Sequence, residues 1–246
     1  MSSINISSLR DYKKEVIFLT QILKPYMLKK YLQDNLWFVA PWLLFVIVCS
    51  YYCFTYSKVD LHLMSNQFVG GWMDTLFRIL TLTGDGGIIV VAIIVLLFYN
   101  TKMSIQLAII FIITTIVTHL FKDVLVQDMY RPYRVFKDLH IQLKLVSGIE
   151  MNEVSSFPSG HSTTAFSFFA FFAFYIRQHY IKFLFCVTAI LIAYSRVYLS
   201  QHFLMDVLAG SLIGVITVIL VLAYSNVSDK YNVPIKAYLR SRKETV

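Results

Sequence analysis

The sequence predicts an all-α fold, a polytopic membrane protein with a six-transmembrane-helix core. Two observations carry that expectation. Of 246 residues, 57% are apolar and only 15% charged, with a mean hydropathy of +0.64, where a soluble domain carries about 25% charged residues. The apolar residues are also gathered into repeated runs close to span length rather than dispersed. This composition excludes a disordered chain, a nucleic-acid-binding domain and an ordinary cytosolic enzyme.

Residues 1–36 form a leading segment. Leu9, Tyr12, Val16, Leu19, Leu23 and Met27 recur at helical spacing beside Lys13, Lys14, Lys24, Lys29 and Lys30, which predicts an amphipathic interfacial helix, kinked or divided at Pro25. No cleavable signal peptide is expected, because the first apolar run begins only at Trp37 and lacks a small-residue cleavage site after it.

The runs lie at Trp37–Tyr56, Asp85–Asn100, Ser104–Phe121, Ser162–Ile176, Phe183–Tyr198 and Val207–Tyr224. A ~30 Å hydrocarbon core needs about 20 helical residues, so the second and fourth runs must extend into their polar flanks. Residues 37–224 make one six-span domain, followed by a basic tail at 225–246. An even span count puts both termini on one side. With the termini in the cytoplasm, fourteen of the twenty-two Lys and Arg residues face it, as the positive-inside rule requires. The expected location is the cell inner (plasma) membrane, and the net charge of +8 records topology and lipid contact. Cys49, Cys53 and Cys186 sit inside apolar runs and read as packing residues, not disulfides. In the long loop after the third run, Leu139, Ile141, Leu143 and Leu145 alternate with polar residues. That is the period of a strand, and fits a small hairpin or a flap over a site, with a plain loop as the default.

Ionisable residues at span ends need a partner, water or a function. Lys122 closes the third span and Arg131-Pro132 follows it. Pro158-Ser159-Gly160-His161 opens the fourth span, Ser195-Arg196 ends the fifth, and His202 with Asp206 opens the sixth. Threading six spans brings all of them to one face. Three cations around a point suit a multiply charged anion, with phosphate the obvious candidate. Ser159 stands at an N-cap, so helix N–H groups there can face an anion, and Gly160 lets an oxyanion approach the backbone. His202 and Asp206, four apart on a helix, allow the carboxylate to orient the imidazole. Such a histidine can act as nucleophile or base, with His161 as the second proton-handling group.

This constellation resembles the type 2 phosphatidic acid phosphatase family, whose fold is shared with acid phosphatases and vanadium haloperoxidases. The family pattern runs K-x6-R-P, P-S-G-H and S-R-x5-H-x3-D. The second part is complete at Pro158–His161, and the third at Ser195, Arg196, His202 and Asp206. The first departs: eight residues, not six, separate Lys122 from Arg131, and the usual lysine position holds Val124. Two residues turn a side chain by about 200° on a continuous helix; in a loop they bulge out harmlessly. The resemblance covers roughly Trp72 to Tyr224.

It implies a lipid phosphatase at the extracytoplasmic face. His202 would attack phosphorus and become phosphohistidine, and Asp206 would hold its ring. His161 would protonate the leaving oxygen and then activate water. Lys122, Arg131, Ser159, Gly160 and Arg196 would bind the phosphoryl oxygens. No metal or other cofactor is implied. The expected partners are the bilayer and a membrane lipid phosphate, with no nucleic acid and no protein partner. Candidate substrates implied by similarity are undecaprenyl diphosphate, phosphatidylglycerophosphate, phosphatidate and lipid A. Two alternatives use the same frame: a lipid phosphotransferase, and a non-catalytic lipid transporter, for which loss of a site histidine would be the signature.

Overall fold

A computed structural model describes residues 32–126 and 129–224. The expected N-terminal amphipathic helix and basic C-terminal tail lie outside the described residues, apart from the last few residues before Trp37. Among the described residues all regular structure is helical. The elements are α1 (Leu36–Thr55), α2 (Lys58–Asn66), α3 (Trp72–Leu82), α4 (Gly86–Tyr99), α5 (Thr101–Leu120), α6 (Pro132–Asp138), α7 (Gly160–Tyr175), α8 (His179–Tyr198) and α9 (Leu204–Tyr224).

Each apolar run has become a helix, and four helix starts are signalled in the sequence. Ser57, Asp85, Asn100 and Ser159 cap α2, α4, α5 and α7, each side chain accepting a first-turn backbone N–H. Leu36–Thr55, Thr101–Leu125, His179–Tyr198 and Leu204–Ala223 are long and apolar enough to cross a membrane. α3 and α4 meet at a 47° bend and together make a fifth candidate. α7, at 16 residues, is shorter than these. The outward faces carry exposed Leu44, Ile47, Phe54, Ile116 and Leu184, as lipid-facing surfaces do.

The core lies between α7, α8 and α9, around Phe166, Phe171, Cys186, Ala189, Val207 and Val215. α7 and α9 approach most intimately at two glycines. A Cβ on Gly210 would stand 2.6 Å from the Ser159 carbonyl oxygen, and one on Gly214 would stand 2.7 Å from the Thr163 carbonyl oxygen. Without a hydrophobic drive between helices in lipid, small residues at the contact let backbones meet and dispersion act. The three cysteines are free, two of them buried, in keeping with a packing role.

One end of the bundle is tied by Lys182, whose ammonium donates to the Asp34 carbonyl and to Asn35 Oδ1 at 2.6 Å each, and by Trp37 stacked on His179. The opposite end gathers α2, α6, the long 139–158 loop and the ends of α3, α5, α8 and α9. There residues 141–146 form a loop, the default reading of that segment, and not a strand of a hairpin. The Asn66 side-chain amide takes the place of a neighbouring strand. Its Nδ2 donates to the Lys144 carbonyl and its Oδ1 accepts the Lys144 N–H, both at 2.8 Å. This two-point bond satisfies both backbone groups of Lys144, so the alternation marks a loop clamped to α2.

Candidate active site

The N-terminus of α7 is the floor of the site. Ser159 caps it, accepting the Ser162 N–H, and its own N–H donates to the Asp206 carbonyl at 3.0 Å. That bond joins the start of α7 to the start of α9. Gly160 and His161 open the helix, where backbone N–H groups have no intrahelical acceptor and can face an anion. His161 is fixed from the side by the α3–α4 bend. A Cβ on Gly84 would stand 2.8 Å from Ile192 Cγ2 and 3.3 Å from both Cβ and Cδ2 of His161, so the glycine lets the bend close onto α8 and the imidazole together.

The motif between α8 and α9 is a tight turn. The N–H groups of Gln201 and His202 both donate to the Arg196 carbonyl, at 2.9 and 3.1 Å. Ser200 takes the left-handed conformation at φ 53° to allow it. His202 is 2% exposed, and its Nδ1 faces Asp206 Oδ2 at 3.4 Å, an ion-pair distance longer than a formed hydrogen bond. The same oxygen accepts the Ser156 hydroxyl at 2.5 Å and the Phe203 N–H at 2.9 Å. Two donors therefore hold this carboxylate oxygen in place, facing His202 Nδ1. Burial pushes the His202 imidazole down to about 4, against the opposing pull of Asp206, so the ring is neutral near pH 7 with a lone pair available.

Three cations border this pair. Arg196, at the end of α8, donates from Nη1 to Thr81 Oγ1 at 2.5 Å, while its buried Nε has no partner among the described residues. A buried guanidinium N–H without an acceptor is what a bound oxyanion would satisfy. Arg131 is braced by Nε to the Val154 carbonyl at 2.8 Å and by Nη1 to Gln201 Oε1 at 3.2 Å. Burial draws it below its ordinary value and Asp206 draws it back. Lys122 Nζ lies 3.8 Å from where a Gly160 Cβ would stand, within electrostatic reach of Arg131, Asp206 and Arg196. His161 in turn lies within reach of Arg196, His202 and Lys122.

Lys122 reaches this place although its motif is two residues too long. The chain leaves α5 through a π-helical turn at Phe121–Leu125, closed by the Val126 N–H on the Phe121 carbonyl at 2.9 Å. A π turn holds an extra residue within the helix, which takes up part of the added length. A cavity of about 270 Å³ opens beside it, lined by Gly84, Thr118, Lys122, Gly160, His161 and Thr164 among others.

All eight residues singled out from the sequence thus stand at one end of the bundle, around one cap and one turn. The sequence reading missed their supports. Ser156 and Gln201 adjoin motif residues and could have been suspected from that position; Thr81 gave no signal, being an ordinary threonine on an apolar helix. Among the described residues no three His, Cys, Asp or Glu side chains come together as a metal-ligand group.

Helices converging their ends on such a cap-and-turn site define an α-helical membrane protein of the phosphatidic-acid-phosphatase type. The chain belongs to the PAP2 superfamily, whose profile matches residues 103–230. It is similar to Aquifex aeolicus LpxE at 25% identity, with a TM-score of 0.58, over 67% of this chain and 94% of that one. It also shares the fold of a PAP2-type phosphatidylglycerolphosphate phosphatase from Bacillus subtilis, at 18% identity and a TM-score of 0.54, over 79% and 99% of the two chains. A Drosophila melanogaster protein named "Putative phosphatidate phosphatase" is 41% identical over 96 residues, 34% of this chain. The chain spans about a quarter of that relative's length.

Proposed function

We propose that this protein is a multi-pass membrane phosphatase that removes the terminal phosphate from a lipid phosphate or diphosphate. The observation that carries the reading is the convergence of Arg131, Arg196 and Lys122 on the α7 N-terminus beside a buried, neutral His202. In this account the phosphate oxygens take the Gly160 N–H, the Ser159 cap and the three cations, including the partnerless Arg196 Nε. His202 Nε2 donates its lone pair to phosphorus, the bond to the leaving oxygen breaks, and His161 gives that oxygen a proton. The ring becomes a phosphoimidazolium, and Asp206, facing Nδ1, stabilises the charge that forms there. His161 then takes a proton from water, which attacks phosphorus and releases inorganic phosphate with His202 restored.

The cations supply the positive field that two-metal phosphatases take from their ions, so the reaction is proposed to proceed without metal. The site belongs on the extracytoplasmic side of the inner membrane, with six spans and both termini cytoplasmic. The basic segments favour this orientation, because the Lys182 clamp and the Trp37–His179 stack lie at the bundle end opposite the site.

The test is phosphate release by the purified protein from phosphatidate, phosphatidylglycerophosphate, lipid A and undecaprenyl diphosphate, each in EDTA. At least one should be hydrolysed, with loss of activity in His202→Ala. No release from any of the four, or dependence on added Mg²⁺ or Zn²⁺, would contradict the proposal.

A further inference from the structure

His62 on α2 lies outside all three motifs, before the stretch that resembles the family, and is 2% exposed. Its Nε2 is 3.1 Å from the Ser200 hydroxyl, and its Nδ1 is buried without a partner among the described residues. The ring is packed between Phe136 and Phe203, at centroid distances of 5.3 and 5.6 Å. Burying an imidazole with one orphaned nitrogen costs stability, and a phenyl ring would fill the same space without that cost. The bond to Ser200 is what the imidazole adds.

Ser200 is the pivot of the turn that separates Arg196 from His202. Its φ of 53° is a conformation that side-chain-bearing residues rarely adopt and that surrounding structure must hold. Phe203, on the other side of His202, donates its N–H to Asp206 Oδ2. His62 therefore grips the turn on both flanks of His202. We infer that His62 is a positioning residue for this reaction: its bond to Ser200 and its packing on Phe203 hold the 199–203 turn so that the His202 ring faces phosphorus. Burial keeps His62 neutral, at about 4, so it acts as a fixed hydrogen-bonding wedge and not as a charge.

This inference rests on the reading of His202 as nucleophile, and the experiment separates the two. The probe is p-nitrophenyl phosphate, whose leaving group needs no protonation, in single turnover with detergent-solubilised full-length protein. His62→Phe keeps the ring packing and loses the bond; Ser200→Gly loses the hydroxyl and accepts the positive φ. Each should slow p-nitrophenol release by roughly tenfold or more, with KM changed by less than about twofold, as expected for misplacement of an attacking group. The double variant should be no slower than the slower single, because both remove one interaction. His62→Gln, whose amide reaches the Nε2 position, should recover most of the rate.

A wild-type rate in His62→Phe, multiplied losses in the double variant, or failure of His62→Gln to restore the rate would each overturn the inference. If His62→Phe does not fold, Ser200→Gly decides alone, and a wild-type rate there overturns it. An active His202→Ala would instead bring down the nucleophile assignment. An inactive His202→Ala beside a fully active His62→Phe would remove only the role of His62.

Discussion

The backbone N–H of Ser159 donates to the carbonyl oxygen of Asp206 at 3.0 Å, so the N-cap of α7 and the residue whose carboxylate faces His202 are one hydrogen-bonded unit. That bond forms only because α9 presents glycine where it meets α7. A Cβ at position 210 would stand 2.6 Å from the Ser159 carbonyl and 2.9 Å from the Ser162 Cβ.

Gly210→Ala should therefore push the cap and α9 apart. Overpacking of this kind costs about 1–3 kcal/mol, and here the displaced atoms belong to the site. The expected result is loss of most activity together with a lowered melting temperature. Gly214→Ala meets a similar obstruction one turn deeper, at the Thr163 carbonyl, and should lower the melting temperature while keeping more activity. Equal activity losses in the two would show that the effect is not transmitted through Ser159.

Lys122 tests how the elongated first motif works. With its ammonium 3.8 Å from where a Gly160 Cβ would stand, Lys122→Ala should lower kcat/KM by at least about tenfold, equivalent to ~1.4 kcal/mol of transition-state stabilisation. Near-normal activity would move that role to another cation, such as Arg134 or Lys137. Those two are engaged elsewhere, in ion pairs with Glu153 at 3.0 and 3.2 Å.

Orientation is tested by two exposed positions at opposite ends of the bundle. In a background without native cysteines, a cysteine at Gln142 should react with an impermeant thiol reagent applied outside intact cells. One at Gln178 should react only after the membrane is opened. The reverse pattern would put the phosphate site in the cytoplasm.

Acid should unfold the protein through its buried imidazoles. His62 and His202 are both held near 4 by burial, below the ordinary 6.5. The unfolded chain therefore takes up protons first as pH falls. Their contribution to stability is complete above about pH 6.5 and is lost progressively down to about pH 4, by up to ~1.4 kcal/mol per group per pH unit. Melting temperature in detergent should fall over that window, and less steeply in His62→Phe. A flat profile between pH 6.5 and 4 would contradict the burial of both rings.

The legible parts of this molecule were those set by local chemistry. Apolar runs located six of the nine α-helices named above, and Ser159, Gly160 and His161 announced a helix N-terminus. The His202–Asp206 spacing announced that the two side chains meet, but not how: the expected shared helix face is absent, because α9 starts at Leu204 and His202 lies in the turn before it. What could not be read depends on contacts between distant segments. The alternation at 139–145 is compatible with a strand or a loop, and Asn66, more than seventy residues away, decides it by bonding Lys144. The motif spacing put the reach of Lys122 in question because a π turn has no sequence signature of its own. His62 is a lone histidine on a short polar helix, and only the folded chain brings it to Ser200.

The central claim is that phosphorus is transferred to His202. The most direct measurement is to mix the protein with ³²P-labelled lipid phosphate or p-nitrophenyl phosphate, quench in alkali, and count label on the chain in wild type, His161→Ala and His202→Ala. A phosphohistidine survives alkali and is lost in acid. The account predicts alkali-stable label in wild type and a longer-lived signal in His161→Ala with the activated substrate, because the group that activates water is gone. It predicts none in His202→Ala. Label persisting in His202→Ala, or turnover in wild type with no protein-bound phosphate at any time point, would contradict it.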